Sequence, residues 1–263
     1  MCRTVQIPKT IWLTTALAVV MSFSGVAQSL QLHFQNMVNG KPIILDNATY
    51  KNGLGQSYTV SNLKYYISNI RLTTASGQEM TDSGYYLLRE DDTATMNISL
   101  PNIPAGHYTR VTFTIGVDSL HNCNGAQSDA LDPVNGMFWT WNTGYIFFKL
   151  EGKSNASKNP GGIYEYHIGG YKAPANCIRF VSLDISPGGG DVPDQVEKGM
   201  GSNTKSSPEI KTIHIAADIA KMMDGPKPLD IARYNSVTDH HNAAMIADRY
   251  QHMFSLYYVS YTH

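Results

Sequence analysis

The sequence predicts an all-β protein, a β-sandwich with long loops and a short C-terminal helix. Short segments with strand periodicity recur along most of the chain, separated by Gly, Pro, Asn and Asp. Tyrosine is unusually frequent, with 16 residues among 263, and aromatic side chains favour strands. The chain also has the length of one large β domain, because residues 28–263 remain after a distinct N-terminal segment.

The first 27 residues have the features of a secretory signal peptide. Arg3 and Lys9 make the start basic, residues 11–23 are apolar, and residues 25–27 are small and suited to cleavage. This apolar run is too short for a membrane-spanning helix, and no later run is longer. We therefore expect an exported domain of residues 28–263, in the periplasm or at the cell surface, without a transmembrane segment. An uncleaved membrane anchor is the alternative.

The strand-like segments follow one another at the spacing of a sandwich. Residues 30–34 and 41–45 flank Asn39-Gly40, which is a strong hairpin signal. Further segments with strand character are 57–73, 85–89, 95–100, 107–117, 144–151, 163–168, 177–185 and 211–217. Apolar and polar residues alternate most clearly at 111–115, as expected for a strand with one buried face.

Three kinds of segment interrupt the strands. Residues 118–136 form a polar loop of a length that is often functional, and residues 186–208 are rich in Gly, Pro, Ser and Asn. Residues 239–254 have helical spacing with Asp239 as the N-cap, and residues 218–223 predict a short helical turn that ends at Gly225-Pro226.

Composition and motifs exclude several functional classes. Without Arg3 and Lys9 the chain has 18 basic and 21 acidic residues, a formal charge of −3, and it has no basic stripe. Nucleic-acid binding is therefore not expected. No metalloprotease, serine-hydrolase or P-loop motif occurs, so we do not expect an enzyme. Cys123 and Cys177 remain after cleavage, which in an exported protein suggests one disulfide, with two free thiols as the alternative.

The most distinctive segment is GMFWTWNTGYIFFKLEG at residues 136–152. It contains Trp139 and Trp141, two of only three tryptophans in the chain. In extended structure, residues i and i+2 point to one face, so both indoles would share a surface. His167 follows in YEYHIGGY at residues 164–171. Two oxidisable rings near an imidazole predict a redox or metal site, although packed core aromatics are the simpler interpretation.

These segments resemble the MbnP-like copper-binding proteins, which occur beside di-haem peroxidases of the MbnH type. The resemblance covers about residues 30–255. It depends on LKYYISNIRL (63–72), IPAGHYTRVTFTIGVDS (103–119), NGAQSDALDPVNGMFWTWNTGYIFFKLEG (124–152), YEYHIGGY (164–171) and MIADRYQHMFSL (245–256).

The resemblance implies a specific metal chemistry. In this family a tryptophan is oxidised to kynurenine by the partner di-haem c-type peroxidase, and kynurenine and histidines then hold one copper ion, as Cu(I). Trp139 and Trp141 match the paired tryptophans, and His167 matches the histidine of a His-(Ile/Leu)-Gly motif. His33 and His214 are the candidates for a second imidazole. The sequence departs from the family at Asn36, where a histidine is common, and at Trp141, where related proteins have a liganding histidine.

Two other functions remain open from the residues alone. An aromatic strand beside a polar loop also suits a glycan- or peptide-binding module without metal, since exposed aromatic patches often mark such surfaces. A secreted hydrolase that uses carboxylates and His167 is the second alternative, but no catalytic spacing favours it.

Overall fold

The structure is a computed structural model that describes residues 28–139, 144–186 and 210–261. The predicted signal peptide, Trp141 and nearly all of the Gly-rich segment at 186–208 lie outside these ranges. The described strands are β1 Gln28–Val38, β2 Lys41–Pro42, β3 Tyr50–Lys51, β4 Ser57–Tyr58, β5 Asn62–Thr74, β6 Glu79–Arg89, β7 Asn97–Ile103, β8 Tyr108–Ile115, β9 Phe138–Trp139, β10 Gly144–Tyr145, β11 Phe148–Lys153, β12 Ile163–Ile168, β13 Arg179–Asp184, β14 Ile210–Asp218, β15 Ser236–Val237 and β16 Phe254–Tyr261.

Within the described ranges, three α-helices and several short 3₁₀ turns connect these strands. The α-helices are α1 Ser119–Cys123, α2 Ile219–Asp224 and α3 His240–Tyr250. The side chain of Asp218 caps α2 by accepting from the backbone N–H of Ala220 at 2.9 Å, and Gly225 ends the helix, as the sequence predicts. The polar loop at 118–136 is not irregular, because it contains α1 and the 3₁₀ turns Asp129–Leu131 and Pro133–Asn135.

Two sheets form the sandwich. The five-stranded sheet has the order β16-β14-β1-β2, with β7 also paired to β1. The seven-stranded sheet has the order β13-β8-β5-β11-β12-β15, with β6 also paired to β5. Most pairs are antiparallel, but β1 pairs in parallel with β14, and β12 pairs in parallel with β15. The predicted all-β sandwich is therefore confirmed.

Alternating apolar residues of both sheets form the core between them. Phe34 of β1 contacts Phe113 of β8 edge to face, with ring centroids 5.6 Å apart. Phe254 of β16 contacts the same Phe113 ring at 5.2 Å. The phenol of Tyr65 on β5 reaches across to donate a hydrogen bond to the Asn36 side-chain oxygen at 2.8 Å. These contacts show which face of each sheet is internal, and the opposite faces are external.

The hairpin and most of the predicted strands are confirmed, but the C-terminal helix is shorter than predicted. Asn39 and Gly40 have φ angles of 53° and 72°, which suit the tight turn between β1 and β2. The helix predicted at 239–254 ends at Tyr250, followed by a 3₁₀ turn, and Phe254 begins β16. Helical spacing at Phe254 was misleading, because this side chain packs against Phe34 and Phe113 from a strand. No helix among the described residues is long and apolar enough to cross a membrane.

Candidate functional site

The tryptophan segment forms a short hairpin. Strand β9 pairs antiparallel with β10, so that Trp139 lies opposite Gly144 and Phe138 lies opposite Tyr145. The four residues between the strands, among them Trp141, lie outside the described part of the chain. The prediction that both indoles share one strand face therefore stays a prediction.

The indole of Trp139 packs directly on the backbone of Gly169. The ring is buried, with 7% of the residue exposed. A Cβ atom built on Gly169 would lie 2.7 Å from Cζ3 of Trp139 and 2.3 Å from the carbonyl oxygen of Tyr145. Only glycine permits this approach, because carbon atoms of other residues do not pack so closely. Gly169 of the His-Ile-Gly motif is thus the backbone position on which the tryptophan hairpin packs.

His167 lies on the external face of the seven-stranded sheet. In β12 the side chains of Tyr164, Tyr166 and Ile168 are buried, whereas Glu165 and His167 point outward and are half-buried. Gly169 directly follows the end of β12 and is two residues from His167, a separation of about 7 Å in extended backbone. The contact of Trp139 with Gly169 therefore brings the tryptophan hairpin close to the end of the strand that carries His167.

A lysine connects the hairpin to the same position. Lys149 lies directly opposite His167 in the antiparallel pairing of β11 and β12. Its Nζ atom donates a hydrogen bond to the carbonyl oxygen of Gly136 at 2.9 Å, two residues before the hairpin strand β9. The segment that leads into the tryptophan hairpin is therefore held against the external face next to His167.

The imidazole of His167 pairs with the carboxylate of Glu151, and the carboxylate of Glu165 lies nearby. Its Nε2 atom lies 2.6 Å from Oε1 of Glu151. Glu165 lies opposite Glu151 in the strand pairing, and one potential ligand atom from each of the three side chains lies within 4.8 Å of the others. The hydrogen bond from His167 lowers the pKa of Glu151 to about 2, although burial acts in the opposite direction. Because that carboxylate is ionised, Nε2 is the donor in this contact.

Both carboxylates have further hydrogen bonds that fix their positions. The side-chain amide of Asn62 on β5 donates to Oε2 of Glu151 at 2.8 Å. Ser236 on β15 donates to Oε1 of Glu165 at 2.9 Å. Strands β5, β11, β12 and β15 therefore all contribute to one imidazole–carboxylate cluster.

His33 and His214 form a separate pair on the other sheet. They are register partners on β1 and β14, with ring centroids 5.2 Å apart. His33 shares a hydrogen bond of 2.9 Å with Asn97, and His214 stacks on Tyr258 with centroids 3.8 Å apart. Burial, and secondarily the neighbouring His33, lower the pKa of His214 to about 4.

The expectation that His33 or His214 completes a site with His167 is corrected by this arrangement. Leu32 and Phe34, the neighbours of His33 in β1, are buried in the core, so His33 points away from it. His167 points away from the core on the opposite sheet. Packed sheets are about 10 Å apart, and the two imidazole groups lie beyond both outer faces. A single metal ion therefore cannot contact His167 and either of the other two imidazoles.

The predicted disulfide is also absent, because Cys123 and Cys177 are both free thiols. The exposed Cys123 has its sulfur 3.1 Å from the hydroxyl of Tyr171, whereas the buried Cys177 thiol donates to the carbonyl of Ala175 at 3.4 Å. Burial raises the pKa of the Cys177 thiol to about 12. Each sulfur thus has its own partner, and neither is directed at the other.

Asn36, at the position where the resemblance implies a histidine, is not a ligand candidate. It is 3% exposed, accepts from the Tyr65 hydroxyl and donates to Glu90 at 2.9 Å. Its amide is therefore occupied by interactions within the protein.

Sequence reasoning identified neither Glu151 nor Glu165 as a possible ligand. The available signal was weak. Glu151, Glu165 and His167 occupy outward positions in two consecutive predicted strands, but only the register of β11 against β12 brings them together.

The donor set beside Trp139 fits a copper ion in its chemistry. Imidazole is a good copper ligand, and carboxylates bind divalent metals, whereas an intact indole is a poor donor. An oxidised tryptophan would add a nitrogen or oxygen donor next to His167. The protein is thus a β-sandwich in which the cluster of His167, Glu151 and Glu165 lies close to the hairpin that contains Trp139.

Comparison with known proteins identifies the family of this chain. The sequence profile of the MbnP family matches residues 27–241, and the chain belongs to that family. Among solved structures, MbnP from Methylosinus trichosporium is similar, with a TM-score of 0.49, 15% identity, and coverage of 75% of this chain and 77% of that chain. No curated protein matches significantly.

Proposed function

We propose that this protein is an exported copper-binding protein of the periplasm or cell surface. It holds one copper ion, as Cu(I), through His167 and a kynurenine made from Trp139 or Trp141. A di-haem c-type peroxidase of the MbnH type performs the oxidation, and the protein is not itself an enzyme. The proposal goes beyond family membership, which by itself supports an MbnP-like role.

One observation carries the proposal: Trp139 packs on the backbone of Gly169, which is two residues from His167. An oxidised ring at this position would have its new donor atoms near the imidazole. The arrangement depends on the backbone of the His-Ile-Gly motif, and not on flexible side chains. A functional pairing of the two motifs thus has a structural basis in this chain.

The oxidation can be written as a balanced sequence. Two molecules of hydrogen peroxide, reduced to water at the partner peroxidase, withdraw four electrons from the indole. Water supplies the two oxygen atoms that bond to Cγ and Cδ1 while the bond between these carbons breaks, giving N-formylkynurenine and a net release of two waters. Water then hydrolyses the formyl group and releases formate, so kynurenine differs from tryptophan by the loss of one carbon and the gain of one oxygen. The product has an aryl amine and a ketone, and the peroxidase passes the electrons from the indole to peroxide.

The residues of this chain hold the components in place. The carboxylate of Glu151 orients the His167 ring by a hydrogen bond, as carboxylates commonly do for metal-binding histidines. The surrounding core keeps Trp139 in a fixed position with little exposure to water. When bound, copper would be the cargo or redox centre, and its affinity would fall in acid as imidazole becomes protonated.

Co-expression with a di-haem peroxidase of this type tests the proposal. We expect peptide mass spectrometry to find kynurenine at residue 139 or 141, and native metal analysis to find about one copper per chain. Trp139→Phe and Trp141→Phe identify the modified position, and His167→Gln should abolish copper retention. His33→Gln is the matched control, because it removes an imidazole from the opposite sheet and should retain copper. Intact indoles and a copper-free protein after co-expression would refute the proposal.

A further inference from the structure

We propose that Glu151, Glu165 and His167 form a binding site for a divalent transition metal ion, complete without any oxidation of tryptophan. The site shares His167 with the proposed copper site, but it does not require that the copper site exists. Its other ligands are carboxylates that the family resemblance did not indicate.

The backbone brings the three ligands together. Glu151 and Glu165 are direct partners in the antiparallel pairing of β11 and β12, and His167 follows Glu165 at the next outward position of β12. Potential ligand atoms of all three lie within 4.8 Å of one another. Cross-strand partners have Cβ atoms about 4.5–5.5 Å apart, so this proximity is fixed by strand register.

The arrangement of charge favours a cation. Two carboxylates placed directly opposite each other on a sheet repel and destabilise the pair. Glu151 is compensated by Lys149, whose Nζ lies 3.9 Å away, and by the hydrogen bond from His167. Glu165 forms no ion pair with any described residue, and its carboxylate accepts a hydrogen bond from the hydroxyl of Ser236. A cation bound between the two carboxylates would relieve their mutual repulsion.

The carboxylates are accessible to a small ion. They line a surface groove of about 320 Å³ together with Ser61, Gly152, Lys153 and Ile163. His167 lies at the other side of the carboxylate pair, towards the tryptophan hairpin. An ion that enters by the groove meets Glu151 and Glu165 first and then the imidazole.

Ligand chemistry selects the class of metal. One imidazole with two carboxylates suits Zn²⁺, Mn²⁺ or Cu²⁺, whereas Cu⁺ prefers softer donors and Ca²⁺ needs six to eight oxygens. Zinc bonds to nitrogen and oxygen are about 2.0–2.2 Å long. His167 Nε2 and Glu151 Oε1 must therefore move apart from their 2.6 Å contact, and the metal takes the place of the shared proton. Water completes the coordination.

Zinc titration of the full-length chain, purified without a co-expressed peroxidase, tests the inference. Intact mass must first show that the tryptophans are unmodified. We expect calorimetry to detect one Zn²⁺ per chain, with Ca²⁺ giving no comparable heat. Glu165→Gln should weaken zinc binding at least tenfold, since losing even an outer-shell partner commonly costs that much. This substitution keeps the acceptor for Ser236, so folding should be preserved.

The matched control is Glu79→Gln, which removes the same charge from strand β6 of the same sheet, where Glu79 forms an exposed ion pair with Arg71 at 3.3 Å. It should bind zinc as the parent does. The nitrogen hyperfine signal of bound Cu²⁺ in electron paramagnetic resonance should be lost in His167→Gln. Failure to bind zinc, or equal affinity of the Glu165→Gln and Glu79→Gln proteins, would overturn the inference. Because the tryptophans are intact here, this result is independent of whether kynurenine ever forms.

Discussion

Replacing Gly169 by alanine should displace the tryptophan hairpin from the sheet. The added Cβ atom would lie 2.3 Å from the carbonyl oxygen of Tyr145, which is 0.7 Å inside the 3.0 Å that real Cβ contacts respect. It would also lie 2.7 Å from Cζ3 of Trp139. The carbonyl oxygen of Tyr145 and the buried ring of Trp139 cannot both shift away from the new methyl group unless β9 and β10 also move. Overpacking of this kind typically costs about 1–3 kcal/mol, and we expect the upper part of that range.

Chemical denaturation of a Trp141→Phe protein that begins at Gln28 measures this cost, because Trp139 is then its only fluorescent indole. Gly169→Ala should lower the denaturant midpoint and shift the native emission of Trp139 to longer wavelength as water reaches the ring. Gly106→Ala is the control: its Cβ would meet nothing nearer than Thr74 Cγ2 at 3.4 Å, so stability should be unchanged or slightly raised. An unaltered midpoint and an unaltered emission maximum for Gly169→Ala would show that the ring does not rest on this backbone.

Three further predictions concern other parts of the molecule. NMR titration should give His214 a pKa near 4, and this pKa should rise in His33→Gln. The contribution of neutral His214 to folding stability should be present above pH 6.5 and should be lost as the pH falls towards 4. A normal pKa for His214 would contradict its burial. Asp218→Ala should lower the free energy of unfolding, measured in urea, by about 2–4 kcal/mol, because Asp218 accepts hydrogen bonds from the backbone N–H groups of Asn39, Gly40 and Ala220. The control Asp92→Ala loses only one long capping hydrogen bond and should lower it by less than about 1 kcal/mol. In a protein that begins at Gln28, a thiol reagent should label one cysteine in the native state and two after denaturation. The native-state labelling should disappear in Cys123→Ser. No labelling in either state would indicate the disulfide that the structure lacks.

Local sequence signals predicted the strands and turns well where periodicity and turn chemistry agree. The strand at 163–168 matches β12, and Asn39-Gly40 forms the expected hairpin turn. The predictions were weaker where a residue fits two structures. Phe254 continues helical spacing after Tyr250, yet it belongs to β16, because its place in the core against Phe113 depends on contacts that no local pattern contains.

The candidate site was predictable in part. The resemblance indicates His167, Trp139 and Trp141 as candidates, since these residues belong to unusual contiguous motifs, and their role stays a prediction. It could not identify the carboxylate partners of His167, because the pairing of Glu151 with Glu165 is set by the register of two strands joined by a loop. The same limit explains the error over His33 and His214. Their types suit a metal, but only the topology shows that they face outward from the other sheet.

The parallel pairing of β1 with β14 constrains when this chain can fold. Strand β1 lies near the N-terminus of the domain, and its partner begins at Ile210. Until the ribosome has produced that late segment, the five-stranded sheet lacks the strand that joins β1 to β16. Pairing between strands so distant in sequence makes folding slow, and the nascent polypeptide lacks this sheet contact until the late strand has been synthesised. The fold of this chain can therefore be completed only when synthesis of the domain is nearly finished.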